Sequence, residues 1–78
     1  MDSIYERLTE IFRDIFDDET LTATPDLNAE QVAGWDSFAN VRLVLTIERT
    51  FSMEFAAAEI TSLKNVGELA ALIQSKLR

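Results

Sequence analysis

The stretch Gly34–Phe51, GWDSFANVRLVLTIERTF, decides how this chain folds. Advancing by about 100° per residue from Phe38 places Leu43, Val44, Ile47 and Phe51 between roughly 140° and 240°, the apolar stripe of a helix laid against a core. Asp36 or Ser37 supplies the N-cap, because a short side-chain oxygen there accepts from an N–H of the first turn. A helix is therefore predicted from Ser37 to about Phe51. Phe38, Val41 and Leu45 fall outside its stripe, gathered on the side of the wheel where Phe38 stands, with Arg42, Glu48 and Arg49 interleaved around them. The helix thus carries more apolar surface than one core needs. Either the preceding loop covers the surplus, Phe38 first because it stands at the helix start, or the surplus serves a partner. A small apolar patch rimmed by charge suits transient docking, and the same residues suit the lining of a cleft for an apolar ligand.

Working outward, Ser3 and Glu6 have capping-box spacing, and Ile4, Leu8, Ile11, Phe12, Ile15 and Phe16 recur at helical intervals. These predict a first helix from about residue 4 to about residue 16, ended by Asp17, Asp18 and Glu19, whose charge opposes the helix dipole. From there to Trp35 the pattern is irregular, broken by Thr20, Thr22, Thr24 and Pro25. A loop this long needs its own packing, and Leu21, Leu27, Val32 and Trp35 are spaced to pin it. Asn28 with Gln31 predicts a capped single turn, closed by Gly34 in a left-handed conformation. Beyond the central helix, FSMEF (51–55) reads as a break and AAAEITS (56–62) as a short third helix. Asn65 with Glu68 begins a fourth, carrying Val66, Leu69, Ile73 and Leu77 inward, with Lys76 and Arg78 in its last turn. The expected fold is all-α, one domain over residues 1–78: a four-helix bundle with three longer helices, a short third helix, and a long loop between helices one and two.

Composition agrees with that reading. Two Gly and one Pro in 78 residues give too little turn chemistry for a many-stranded sheet, while 47% apolar residues lie far from the signature of disorder. A chain this small without cysteine depends on closely packed, capped helices. Its net charge of −7, from 14 acidic and 7 basic residues, repels nucleic acid and anionic membranes and favours a basic protein surface, unless it serves solubility alone. The opening MDSIYERLTE lacks the basic start and apolar run of a secretory signal, and no stretch approaches membrane-spanning length, so the cytosol is expected.

The chain has no His and no Cys, hence no imidazole base, no thiolate and no common transition-metal site. Its carboxylates show no sign of the separated environments that acid–base pairs require. No catalytic residue and no metal site is expected, and the protein is not expected to be an enzyme. Ser37 stands apart: at a helix start it lies near unpaired N–H groups and the positive end of the dipole, so an anionic group attached there is favoured. The competing reading is a plain N-cap.

The segment GWDSFANVRLVLTIERTFSMEF, followed by EITSLKNVGELAALI, resembles the acyl carrier proteins, including the discrete carriers of specialised pathways. The resemblance covers nearly the whole chain, and its sharpest element is the Asp-Ser pair at the head of the second helix. It implies that Ser37 carries 4′-phosphopantetheine through a phosphodiester, installed from coenzyme A by a phosphopantetheinyl transferase with Mg²⁺. Asp36 would assist that modification. The arm ends in a thiol that holds acyl groups as thioesters, so the cofactor brings the reactive sulfur and acyl-loading and acyl-processing enzymes bring catalysis. Phe38, Val41 and Leu45 match positions resembling the carrier recognition surface and the mouth of the acyl cleft. Two departures stand out. Phe38 replaces the family's usual Leu, and the following Ala39-Asn40-Val41-Arg42 lacks the acidity of carriers in bulk fatty-acid synthesis. Arg42 and Arg49 make the proposed docking face positive, which implies dedicated partners in a fatty-acid, polyketide or related pathway. A carrier that shows its arm to several enzymes is expected to be monomeric. The alternatives are an amino-acyl or peptidyl carrier, disfavoured by Trp-Asp in front of Ser37, and a helical interaction module that is never modified.

Overall fold

In the computed structural model, which describes residues 2–61 and 63–77, the apolar spacings become four α-helices: α1 (Asp2–Phe16), α2 (Ser37–Phe51), α3 (Ala57–Thr61) and α4 (Val66–Leu77). One 3₁₀ turn, Ala29–Gln31, lies within the α1–α2 connection, and there is no strand among the described residues. The fold is the expected bundle of three longer helices and one short one. No helix among the described residues is long and apolar enough to cross a membrane.

The core is built from one stripe per long helix: Ile4, Leu8, Ile11 and Phe12 of α1, Leu43 and Ile47 of α2, and Val66, Leu69, Ala70 and Ile73 of α4. α1 packs against both α2 and α4. α3, with five residues, is too short to persist by its own hydrogen bonds and buries no side chain completely. It is held by Glu59, whose carboxylate accepts from Ala56 N–H (2.8 Å) and pairs with Lys76 of α4 (3.0 Å). Those contacts, the Ala56 bond first, hold the Glu59 carboxyl below its ordinary value. What they contribute to stability is present at neutral pH and lost as pH falls through that lowered value.

Three details depart from expectation. α1 starts at Asp2, so Ser3 already lies within the helical turn, and the Ser3–Glu6 pair makes none of the reciprocal bonds of a capping box among the described residues. Leu77 is not inward but 51% exposed, because the buried cluster ends one turn earlier, at Ile73. Ala23, absent from the expected loop anchors, is buried in the core, and its N–H donates to Thr9 Oγ1 of α1 (2.9 Å). Ser62 and Arg78, placed by sequence in the third and fourth helices, lie outside the described residues.

The long loop is tied down along its length. It begins with Asp17 at φ +50°, the left-handed residue that ends α1, and Asp18 accepts from both Thr20 N–H (2.9 Å) and Thr20 Oγ1 (2.6 Å). Leu21, Leu27 and Trp35 pack half-buried on the core, and Val32 is buried. The 3₁₀ turn is closed by Glu30 N–H donating to Asn28 Oδ1 (3.0 Å) and Asn28 N–H donating to Gln31 Oε1 (3.2 Å). At its middle the loop serves α4. The first N–H groups of a helix lack partners within it, and here Val66 N–H donates to Leu27 O (2.8 Å) and Gly67 N–H to Pro25 O (3.0 Å). A Cβ at position 67 would stand 3.0 Å from Pro25 O and 3.2 Å from Asn65 Oδ1. Gly→Ala within a helix ordinarily stabilises by about 0.5–1 kcal/mol. Gly67→Ala is instead expected to destabilise by about 1 kcal/mol through crowding of the loop, read as a lower urea midpoint; a raised midpoint would show that the loop yields without cost.

Candidate functional site

The head of α2 is positioned by Trp35. Its ring lies against Phe12 (5.4 Å between centroids) and Phe16 (5.9 Å), both on α1, and its Nε1–H donates to Asn40 Oδ1 (3.1 Å). Gly34 supplies the reversal before it at φ +86°, a conformation costly for any residue with a Cβ. Asp36 is the N-cap: its backbone is extended, its Oδ1 accepts from Ala39 N–H (2.9 Å), and its carbonyl accepts from Asn40 N–H (2.9 Å). Ser37 is thereby the first helical residue and not the cap. Its side chain is exposed, and neither its hydroxyl nor the backbone N–H groups of Ser37 and Phe38 have a partner among the described residues.

Beside Ser37 opens a cavity of about 320 Å³ between α2, the α3–α4 segment and the loop. Its interior is apolar, from Leu43, Val44 and Ile47 on α2 and Ile60, Leu63 and Leu69 opposite, while Asp36, Ser37, Asn40, Lys64 and Asn65 form a polar rim. The volume falls at the small end of ligand pockets.

Phe38, Val41 and Leu45 are 75%, 57% and 54% exposed, so the loop covers none of them. It passes on the α1 side, where Trp35 is drawn to Phe12 and Phe16. Nor do these three residues line the cavity. The cleft reading for them is corrected, because the cavity opens on the arc of Leu43, Val44 and Ile47, away from the surplus patch. Arg42 and Arg49 border the patch, both exposed and without an ion pair or side-chain hydrogen bond among the described residues. Glu48, between them, is turned to Phe55 N–H (2.8 Å) and so is engaged elsewhere.

Sequence reasoning missed Asn40, Lys64 and Asn65 as rim residues. Asn40 had a signal: on the α2 wheel it falls within the arc of Leu43, Val44 and Ile47, a polar side chain inside the apolar stripe. Lys64 and Asn65 had none, since their placement follows from how α3 is tethered to α4.

A helical bundle with an exposed serine at a helix head beside an apolar cavity has known counterparts. The family model described as the phosphopantetheine attachment site matches residues 6–73. The holo acyl carrier protein from Geobacter metallireducens, solved in solution by NMR, is 38% identical with a TM-score of 0.90, over 99% of this chain and 87% of that one. Fold and match together define a carrier domain for covalently attached 4′-phosphopantetheine. The chain belongs to the acyl carrier protein family, whose members work with a transferase and with biosynthetic enzymes.

Proposed function

We propose that Ser37 is the attachment point of the 4′-phosphopantetheine arm, and that residues 1–78 act as a single carrier domain presenting acyl thioesters to dedicated enzymes of a specialised fatty-acid, polyketide or related pathway. The observation that carries this reading is the exposed Ser37 hydroxyl, unbonded among the described residues, one residue inside the cap and beside an apolar cavity. The residues fit the group. In the transfer, the hydroxyl oxygen bonds to phosphorus as the bond to the adenosine bisphosphate part of coenzyme A breaks and the transferase takes up the hydroxyl proton, so no base is needed within this chain. The arm supplies the thiol on which acyl groups travel. The Ser37 and Phe38 N–H groups, with the dipole of a 15-residue helix, favour the phosphodiester by about 0.3–1 kcal/mol. Asp36 divides its carboxylate: Oδ1 caps Ala39, and Oδ2, unbonded among the described residues, is available to the transferase's Mg²⁺. The cavity receives the apolar part of the cargo. The experiment that tests this reading is intact mass after incubation with coenzyme A, Mg²⁺ and a broad-specificity transferase; no phosphopantetheine increment with several transferases would overturn it.

Phe38, Val41, Arg42 and Leu45 form the docking face for these enzymes, and the carrier works as a cytoplasmic monomer. Since rim charges act mainly on encounter rate, Arg42→Glu is expected to slow loading by the cognate enzyme about tenfold. Stability should change by less than about 0.5 kcal/mol, because Arg42 is exposed and has no ion pair among the described residues. Equal loading rates would reduce Arg42 to a solvated charge.

A further inference from the structure

The two asparagines of the cavity rim have a one-sided hydrogen-bonding character. Asn40 Oδ1 is taken by Trp35 Nε1–H and Asn65 Oδ1 by Glu68 N–H (2.9 Å). Both protein partners are N–H donors, so each amide must present its oxygen to them, and its NH₂ is what remains. Neither NH₂ has an acceptor among the described residues. Since no half-buried or buried side-chain nitrogen is both sealed from solvent and unbonded among the described residues, both NH₂ groups keep contact with solvent, and both residues line the cavity. These two amides thus offer donors and ask for acceptors, beside the Oδ2 of Asp36, unbonded among the described residues. The rim's two side-chain charges are opposite, Asp36 and Lys64, so beyond the helix end at Ser37 the side chains give the mouth no net charge. At about 30 Å³ per water-sized group, 320 Å³ holds roughly ten heavy atoms, enough for a medium acyl chain.

We propose that Asn40 and Asn65 make this rim selective for cargo bearing an uncharged oxygen near the thioester, a 3-oxo or 3-hydroxy acyl group, over a plain alkyl chain. This rests on the reading that cargo attached through Ser37 enters the cavity. An alkyl chain leaves both NH₂ groups to water or strands them. An oxygen function satisfies them, and a neutral hydrogen bond contributes little unless the donor would otherwise go unpaired. The selectivity therefore grows as the chain excludes water from the rim.

The test compares four forms by NMR: apo, holo, octanoyl and 3-oxooctanoyl. Both loaded forms are expected to move the methyl signals of Leu43, Ile47 and Leu69, and the 3-oxo form alone to move the side-chain NH₂ signals of Asn40 and Asn65 downfield. Asn40→Asp and Asn65→Asp keep the oxygen that Trp35 Nε1–H and Glu68 N–H require but remove the NH₂ donor, so the fold is preserved. In both variants the additional thermal stabilisation by the 3-oxo group over octanoyl should be lost. Methyl shifts in both loaded forms with no difference at the asparagines would overturn the proposal. So would asparagine shifts already complete in the holo form, which would assign the acceptor to the arm's own amide carbonyls. Methyls unmoved in either loaded form would instead remove the cavity reading, and this inference with it.

Discussion

Intact mass after incubation with coenzyme A, Mg²⁺ and a broad-specificity transferase should show one phosphopantetheine increment on the wild-type protein and none on Ser37→Ala. The expected effect is complete loss, because on the proposed assignment the change removes the oxygen that forms the new bond. What makes the experiment decisive is that Ser37 has no structural duty. The cap of α2 is Asp36, the core begins at Ala39 and Leu43, and the Ser37 hydroxyl has no partner among the described residues. Alanine is a better helix former than serine by a few tenths of a kcal/mol, so the variant should unfold at the wild-type midpoint or slightly above. Loss of modification with the fold intact isolates the chemistry. An increment that persists on Ser37→Ala would place attachment at another hydroxyl. Asp36→Ala is the less clean partner experiment, since it removes a cap worth about 1 kcal/mol together with any assistance to the transferase.

The largest effect on stability is expected at Phe12. It is 1% exposed and joins α1 to the head of α2 through the Trp35 ring, with Phe16 at 6.1 Å as its other aromatic neighbour. Truncating a buried Phe to Ala costs about 3–5 kcal/mol, while a chain of 78 residues has a total of about 4–12 kcal/mol at about 0.05–0.15 kcal/mol per residue. Phe12→Ala should therefore lower the thermal midpoint by at least about 12 °C, followed by circular dichroism. Phe16→Ala, at a half-buried position of the same aromatic group, should cost clearly less. Equal losses at the two positions would mean that Trp35 is supported by general burial and not by the Phe12 face in particular. The prediction also connects packing to function, since Trp35 immediately precedes the Asp36–Ser37 pair and a loosened ring would blur its placement.

Much of this was legible in the sequence for identifiable reasons. The stripes of α1, α2 and α4 follow from helical period, and the 3₁₀ turn and the start of α4 follow from short polar side chains at capping spacing. The surplus arc of Phe38, Val41 and Leu45 was visible on the α2 wheel, but whether the loop covered it was not. That depends on the side from which the loop approaches, settled by Trp35 choosing Phe12 and Phe16. The choice between Asp36 and Ser37 as cap was equally hidden, because both carry suitable oxygens and only the extended backbone at Asp36 separates them. The cavity was illegible as a whole. It is bounded by an α3 of five residues that Glu59 and Lys76 tie to α4, a tertiary arrangement with no local pattern. Inside it, Asn40 was the one readable clue, a polar residue where the wheel asks for an apolar one.

The tryptophan that steadies α2 has a second consequence. Trp35 is the chain's sole indole, it lines the cavity, and its N–H is bonded to the rim residue Asn40. Indole emission is sensitive to the polarity and hydrogen bonding around the ring, so the wall of this cavity carries an optical gauge of its own. Cargo that enters this cavity, as proposed, is expected to change the indole emission of the unlabelled protein.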